Sequence, residues 1–123
     1  MKRELLQDMA VEQLVAQFIT IGLEQDLAIR KSNNAKFNRL FWQMEAVEEE
    51  LKRRKDDQRQ ALVRLYHHPN TQVRLAAAKA TLAVAPDAAR KTIEAIAESR
   101  DYPQAGDAGM TLVNLERGIF KPT

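Results

Sequence analysis

The chain has 123 residues, 45% hydrophobic and 29% charged, a balance that suits one globular domain with a real core. Its 19 Lys and Arg face 17 Asp and Glu, so the net charge of +2 creates no broad positive field by itself. The absence of cysteine excludes disulfides, thiol catalysis and cysteine-held metals, and four glycines with four prolines disfavour a turn-rich all-β fold.

At the start, Glu4, Gln7, Asp8 and Glu12 interrupt the apolar core that a signal peptide requires. No apolar run reaches the length of a bilayer span. The expectation is a soluble, cytoplasmic protein. Lys2 to Gln7 suits a short leading turn, and Asp8 is placed to cap a helix from about Ala10 to Ile29. Val11, Leu14, Val15, Phe18, Ile21 and Gly22 recur there at helical spacing, and Ile19, Leu23 and Leu27 widen the stripe. The run Lys31 to Asn34 breaks the pattern, with Ser32 and Asn34 as N-cap candidates.

A second long helix is expected from Ala35 to Arg54, with Phe37, Leu40, Phe41, Met44, Val47 and Leu51 inward. Its end, EEELKRRKDD, contains a basic cluster. Glu48, Glu49 and Glu50 precede Lys52, Arg53 and Arg54 by four residues each, so self-neutralising pairs on a solvated face are expected.

From Asp56 or Asp57 a helix is expected to about His67, ended by His68-Pro69 because the residue before proline disfavours the α region. Asn70 then caps a small-residue helix that runs towards Pro86 and around which the chain is organised. Val73, Ala76, Ala77, Ala80 and Val84 form one stripe, and Leu75, Ala78 and Leu82 a second, so neighbours are expected on two sides. Pro86 and Pro103 suit the first turns of two more helices, with Asp87 favourable for the dipole of the first. Ala89, Ile93, Ile96 and Ala97 face inward on one, and Ala105, Ala108, Leu112 and Leu115 on the other. Gly118 is a natural left-handed C-cap, with Ile119 expected to fold back towards Val113. Phe120 has no obvious local partner, which leaves monomer or homodimer open.

Leu62 and Leu65 recur as Ile93 and Ile96, offset by 31, and Ala76 and Ala80 recur as Ala108 and Leu112, offset by 32. The stretch HPNTQVRLAAAKATL resembles the second half of a HEAT repeat on Asn70, Val73, Arg74, Ala76, Ala77 and Leu82. NRLF, QRQALVRL, HPNTQVR, PQAGDAG and GIFKP also resemble a family of small bacterial HEAT-like domains with no assigned function. The resemblance implies an all-α, right-handed superhelix of antiparallel helix pairs, with about six to seven helices. One domain is expected over 1–123, with 1–55 as a degenerate first pair and 56–85 and 86–123 as repeats. The second repeat departs from the pattern, because Asp107 stands near the place expected for Arg and glycines occupy 106 and 109.

No catalytic constellation is visible. His67 and His68 are adjacent and point about 100° apart on a helix, which suits capping or surface roles better than chelation. The segment Asp101 to Asp107 has two carboxylates but no nucleophile with its base, so turn and helix-start chemistry is expected there. No enzyme activity, metal or cofactor is therefore expected. Trp42 is either core-edge packing or an exposed anchor. It falls in line with Asn38, Glu45 and Glu49. Asn70, Arg74 and Thr81 form a second polar line, and Gln104, Asp107, Thr111 and Asn114 a third. In a HEAT-like stack these lines would share one concave groove holding a protein or peptide, as in an adaptor or an antidote to a toxin. Ordinary solvated faces are the alternative, and Arg74 could instead pair with an acidic side chain of a neighbouring repeat. Nucleic-acid binding through Trp42 and Arg74 is the competing function.

Overall fold

The computed structural model describes residues 5–123, and among these every regular element is helical. A 3₁₀ turn at Leu6–Asp8 precedes α1 (Val11–Arg30) and α2 (Asn34–Arg53). A 3₁₀ segment, Gln58–His67, leads to α3 (Thr71–Ala80), α4 (Pro86–Glu98) and α5 (Gln104–Glu116). Residues 1–4, the start of the expected leading turn, lie outside the described residues. The chain forms two compact units, one ending at Ala61 and the other spanning Leu62–Thr123.

In the first unit α1 and α2 pack as a hairpin. Leu14, Phe18 and Ile21 of α1 and Leu40, Val47 and Leu51 of α2 are buried. The caps differ from the expected ones. Asp8 is taken up in the 3₁₀ turn, and Ala10 is the N-cap of α1, its N–H donating to Gln13 Oε1 at 2.7 Å. Between the helices Asn33, not Ser32 or Asn34, caps α2 by accepting from the Lys36 N–H at 3.1 Å. Ser32 takes a left-handed conformation (φ 52°) that turns the chain, which leaves the cap to its neighbour.

The charged end of α2 is not a uniformly solvated face. Glu50 is buried and takes Arg53 and Arg54 together, with Arg54 Nε at 2.6 Å. Arg54 also donates to the carbonyls of Leu6 (3.1 Å) and Met9 (2.8 Å), fastening the leading 3₁₀ turn to α2. The two guanidinium groups hold the Glu50 carboxyl below the usual carboxylate range. A spacing rule for surface pairs misses this, because Arg54 has a second set of partners far away in sequence.

In the second unit Leu75, Ala78, Leu82, Ala89, Ile93, Ile96 and Ala108 form one buried cluster, covered by Tyr66, Ala97, Leu112, Leu115 and Phe120. Asn70 caps α3 by accepting from the Val73 N–H at 3.1 Å. Of the two expected stripes, Val73, Ala77 and Ala80 are buried on one, with Ala76 and Val84 half-buried, and Leu75, Ala78 and Leu82 are buried on the other. The helix stops at Ala80, earlier than the pattern suggests. Thr81 Oγ1 bonds back to Ala77 O at 2.8 Å, and Thr81 O accepts from the N–H groups of Val84 and Ala85, closing a turn. Pro86 then opens α4, where its missing N–H costs nothing.

Gly118 has φ 69° and ends α5 as the left-handed cap, with Ile119 and Phe120 donating to Asn114 O at 2.9 and 3.1 Å. This turn brings Phe120 onto the core cluster, so the tail has a local partner after all. Ile119 stays 69% exposed. The segment before α3 is 3₁₀ rather than α, although Leu62 and Leu65 are buried at the expected positions. Ion pairs Lys79–Asp107 (3.1 Å) and Arg90–Glu116 (3.1 Å) join α3 and α4 to α5.

Candidate functional site

On α2 the line Asn38, Trp42, Glu45 and Glu49 falls on one helical stripe. Asn38, Trp42 and Glu49 are exposed and Glu45 is half-buried. Trp42 is 69% exposed, which overturns the core-edge alternative. Phe41, expected inward, is also exposed (43%), because it lies about 100° from Leu40, whose side of the helix holds the core. The two rings stand edge to face, with centroids 5.2 Å apart and planes at 86°. That arrangement suits the aromatic quadrupoles and holds both rings as one apolar feature.

The acidic flank of this stripe has an unusual member. Glu48 is half-buried, and its carboxyl is pushed up to about 7. Burial is the main cause, and the neighbouring carboxylates of Glu45 and Glu49 act in the same direction. Arg59 and Lys52 oppose the shift. Arg59 cannot fully serve Glu48, because it is itself buried in a two-pronged pair with Asp57, at 2.9 Å (Nε to Oδ1) and 2.6 Å (Nη2 to Oδ2).

The polar residues of the second unit are largely engaged with one another. Gln104 is buried and donates through Nε2 to Gln72 Oε1 at 3.1 Å. Asp107 receives Lys79, and the buried Thr111 hydroxyl donates to Asp107 O at 2.9 Å. These side chains join α5 to α3 or brace α5 itself. Thr81 is buried beneath Tyr66, whose hydroxyl it meets, and burial pushes the Tyr66 phenol up. Arg74 Nη1 donates to His68 O (2.8 Å) and Pro69 O (3.1 Å), and Nη2 to Thr71 Oγ1 (2.9 Å). The Thr71 hydroxyl in turn donates a hydrogen bond to Asp101 Oδ2. Arg74 thus reaches an acidic side chain through a hydroxyl relay rather than directly. His68 Nδ1 accepts from the Asn70 N–H at 3.0 Å, a turn role.

Beside Arg74 an open depression of about 270 Å³ is lined by Tyr66, Arg74, Lys91, Thr92, Ala95, Ile96 and Ser99. The sequence offered no sign of it, because Lys91 and Ser99 carry no pattern of their own. Among the described residues no group of three or more His, Cys, Asp or Glu is gathered that could hold a metal. No helix among them is long and apolar enough to cross a membrane.

A family model described as a domain of unknown function, DUF2019, matches residues 12–116. The chain belongs to that family. Among solved structures it is similar to the protein RPA1889 from Rhodopseudomonas palustris CGA009, at 50% identity and a TM-score of 0.94. That match covers 98% of this chain and 100% of the other. No curated protein matches the chain. The DUF2019 match covers the described α-helices nearly end to end and carries no activity with it.

Proposed function

We propose that this DUF2019 protein is a non-enzymatic, cytoplasmic interaction module of adaptor or antidote type. It binds a protein or peptide through the outer face of α2, with Trp42 as anchor and Asn38 and Glu45 as polar flanks. The helices from Asp56 onward act in this reading as a degenerate HEAT-like scaffold. The observation that carries it is the exposed, edge-to-face pair of Trp42 and Phe41. Tryptophan is enriched among residues that dominate binding energy at interfaces, where a large ring fills a pocket on the partner. The pair is mostly apolar, so covering it gains free energy.

Tagged wild-type and Trp42→Ala proteins, used for capture from lysate of the source organism with and without nuclease, test this. The expected result is a protein recovered with the wild type and reduced roughly tenfold or more with Trp42→Ala. Recovery that vanishes on nuclease treatment, or is equal for both proteins, overturns the reading.

A further inference from the structure

The depression formed by α3, α4 and the end of the 3₁₀ segment has a chemistry separate from the aromatic pair on α2. Its lining includes two cationic side chains, Arg74 and Lys91, and no carboxylate. Arg74 is held in place by its bonds to His68 O, Pro69 O and Thr71 Oγ1. A guanidinium has five N–H donors, so three bonds leave two donors unused on a group that is already oriented. Lys91 is exposed, stands on α4 and makes no ion pair among the described residues.

The hydroxyls around these cations are committed elsewhere as donors. Thr92 Oγ1 donates to Ala88 O, and Ser99 Oγ to Ile96 O. The Tyr66 hydroxyl meets Thr81, which leaves its ring as part of the lining. Ala95 and Ile96 add carbon. A ligand must therefore bring acceptors for the two cations and a short apolar stem for the carbon surface. Glu94 and Glu98 share α4 with Lys91 but do not line the depression.

We infer that this depression receives the carboxylate of an acidic side chain on the protein partner, gripped by Arg74 and Lys91. Two free guanidinium donors match two carboxylate oxygens, and the methylenes of a glutamate suit the Ala95, Ile96 and Tyr66 surface. The inference rests on the protein-binding reading above and adds a preference for acidic partner segments.

The test is a titration of the full-length ¹⁵N-labelled protein with the blocked tetrapeptide acetyl-Ala-Glu-Glu-Ala-amide. The Gln-for-Glu peptide and inorganic phosphate serve as comparisons. The expected result is saturable shifts confined to the amides of Lys91, Thr92 and Ser99 and the Arg74 Nε–H, with the acidic peptide alone. Lys91→Ala, a change at an exposed position, is expected to weaken binding about three- to fivefold. Equal response to the glutamine peptide, stronger binding of phosphate, or no saturable shift overturns the inference. Because the probe is a peptide and Trp42 is intact, loss of this response with Trp42-dependent capture preserved would remove the carboxylate site alone. The converse result would remove the α2 reading alone.

Discussion

Replacing Glu48 with glutamine should stabilise the protein at alkaline pH and do little in acid. Each tenfold change in proton affinity is worth about 1.4 kcal/mol. A carboxyl moved from 4.5 to about 7 therefore puts a ceiling of about 3 kcal/mol on the cost of ionising it in the folded state. In the unfolded chain Glu48 ionises near 4.5, so below that pH both states are protonated and the group adds no difference. Between 4.5 and about 7 the unfolded chain loses its proton first, and stability falls as pH rises. Above about 7 the full penalty is present. Glutamine keeps the shape of the protonated acid and cannot ionise. Urea unfolding followed by circular dichroism should show Glu48→Gln more stable by about 1–3 kcal/mol at pH 8, with the gap narrowing to about a quarter of that at pH 5. Parallel stability curves for the two proteins across this range would refute the reasoning, because they would place Glu48 in water.

Three further substitutions probe how the helices are fixed. Arg54→Met removes a partner of the buried Glu50 and two bonds to the leading turn, and should cost about 2–3 kcal/mol in urea unfolding at neutral pH. Because the Glu50 pKa is lowered on folding, that stabilisation is present above 4.5 and should fade as pH falls through the folded value. Asn70→Ala should cost about 1 kcal/mol by freeing the Val73 N–H, read as a lower urea midpoint with an unchanged slope. Gly118→Ala should cost about 1 kcal/mol from its positive φ of 69°, not from crowding, since an added Cβ would meet only Lys121 at 3.9 Å. A variant as stable as the wild type would show that the tail adopts another turn.

Periodicity carries well wherever a long helix buries one stripe, as with Phe18 and Leu14 of α1 or Leu40 and Val47 of α2. Local chemistry at helix ends is readable in the second unit, where Asn70, Pro86 and Gly118 sit as their side-chain and backbone properties suit, but not at the starts of α1 and α2, where Ala10 and Asn33 are the caps rather than Asp8 and Ser32 or Asn34. The 3₁₀ form of Gln58–His67 is not readable, because Leu62 and Leu65, three apart, fit a period of 3.0 as well as 3.6. Charge spacing places the Glu50–Arg54 pair correctly but misleads about its setting, since the rule assumes solvent while Glu50 is buried and Glu48 half-buried. The polar line on α5 shows the same limit. Gln104 and Thr111 have the spacing of an open row, yet each spends its hydrogen-bonding groups within the unit. The depression beside Arg74 depends on how three segments meet in space, which no single stretch of sequence encodes.

The claim that α2 carries the partner through Trp42 is most directly tested by fluorine NMR. The chain has one tryptophan, so growth with 5-fluorotryptophan gives a single signal. The captured partner, added unlabelled, should shift or broaden that signal in a saturable way, as the exposed indole passes from water into a protein pocket. A complex that forms while the Trp42 signal stays where it was would contradict the account.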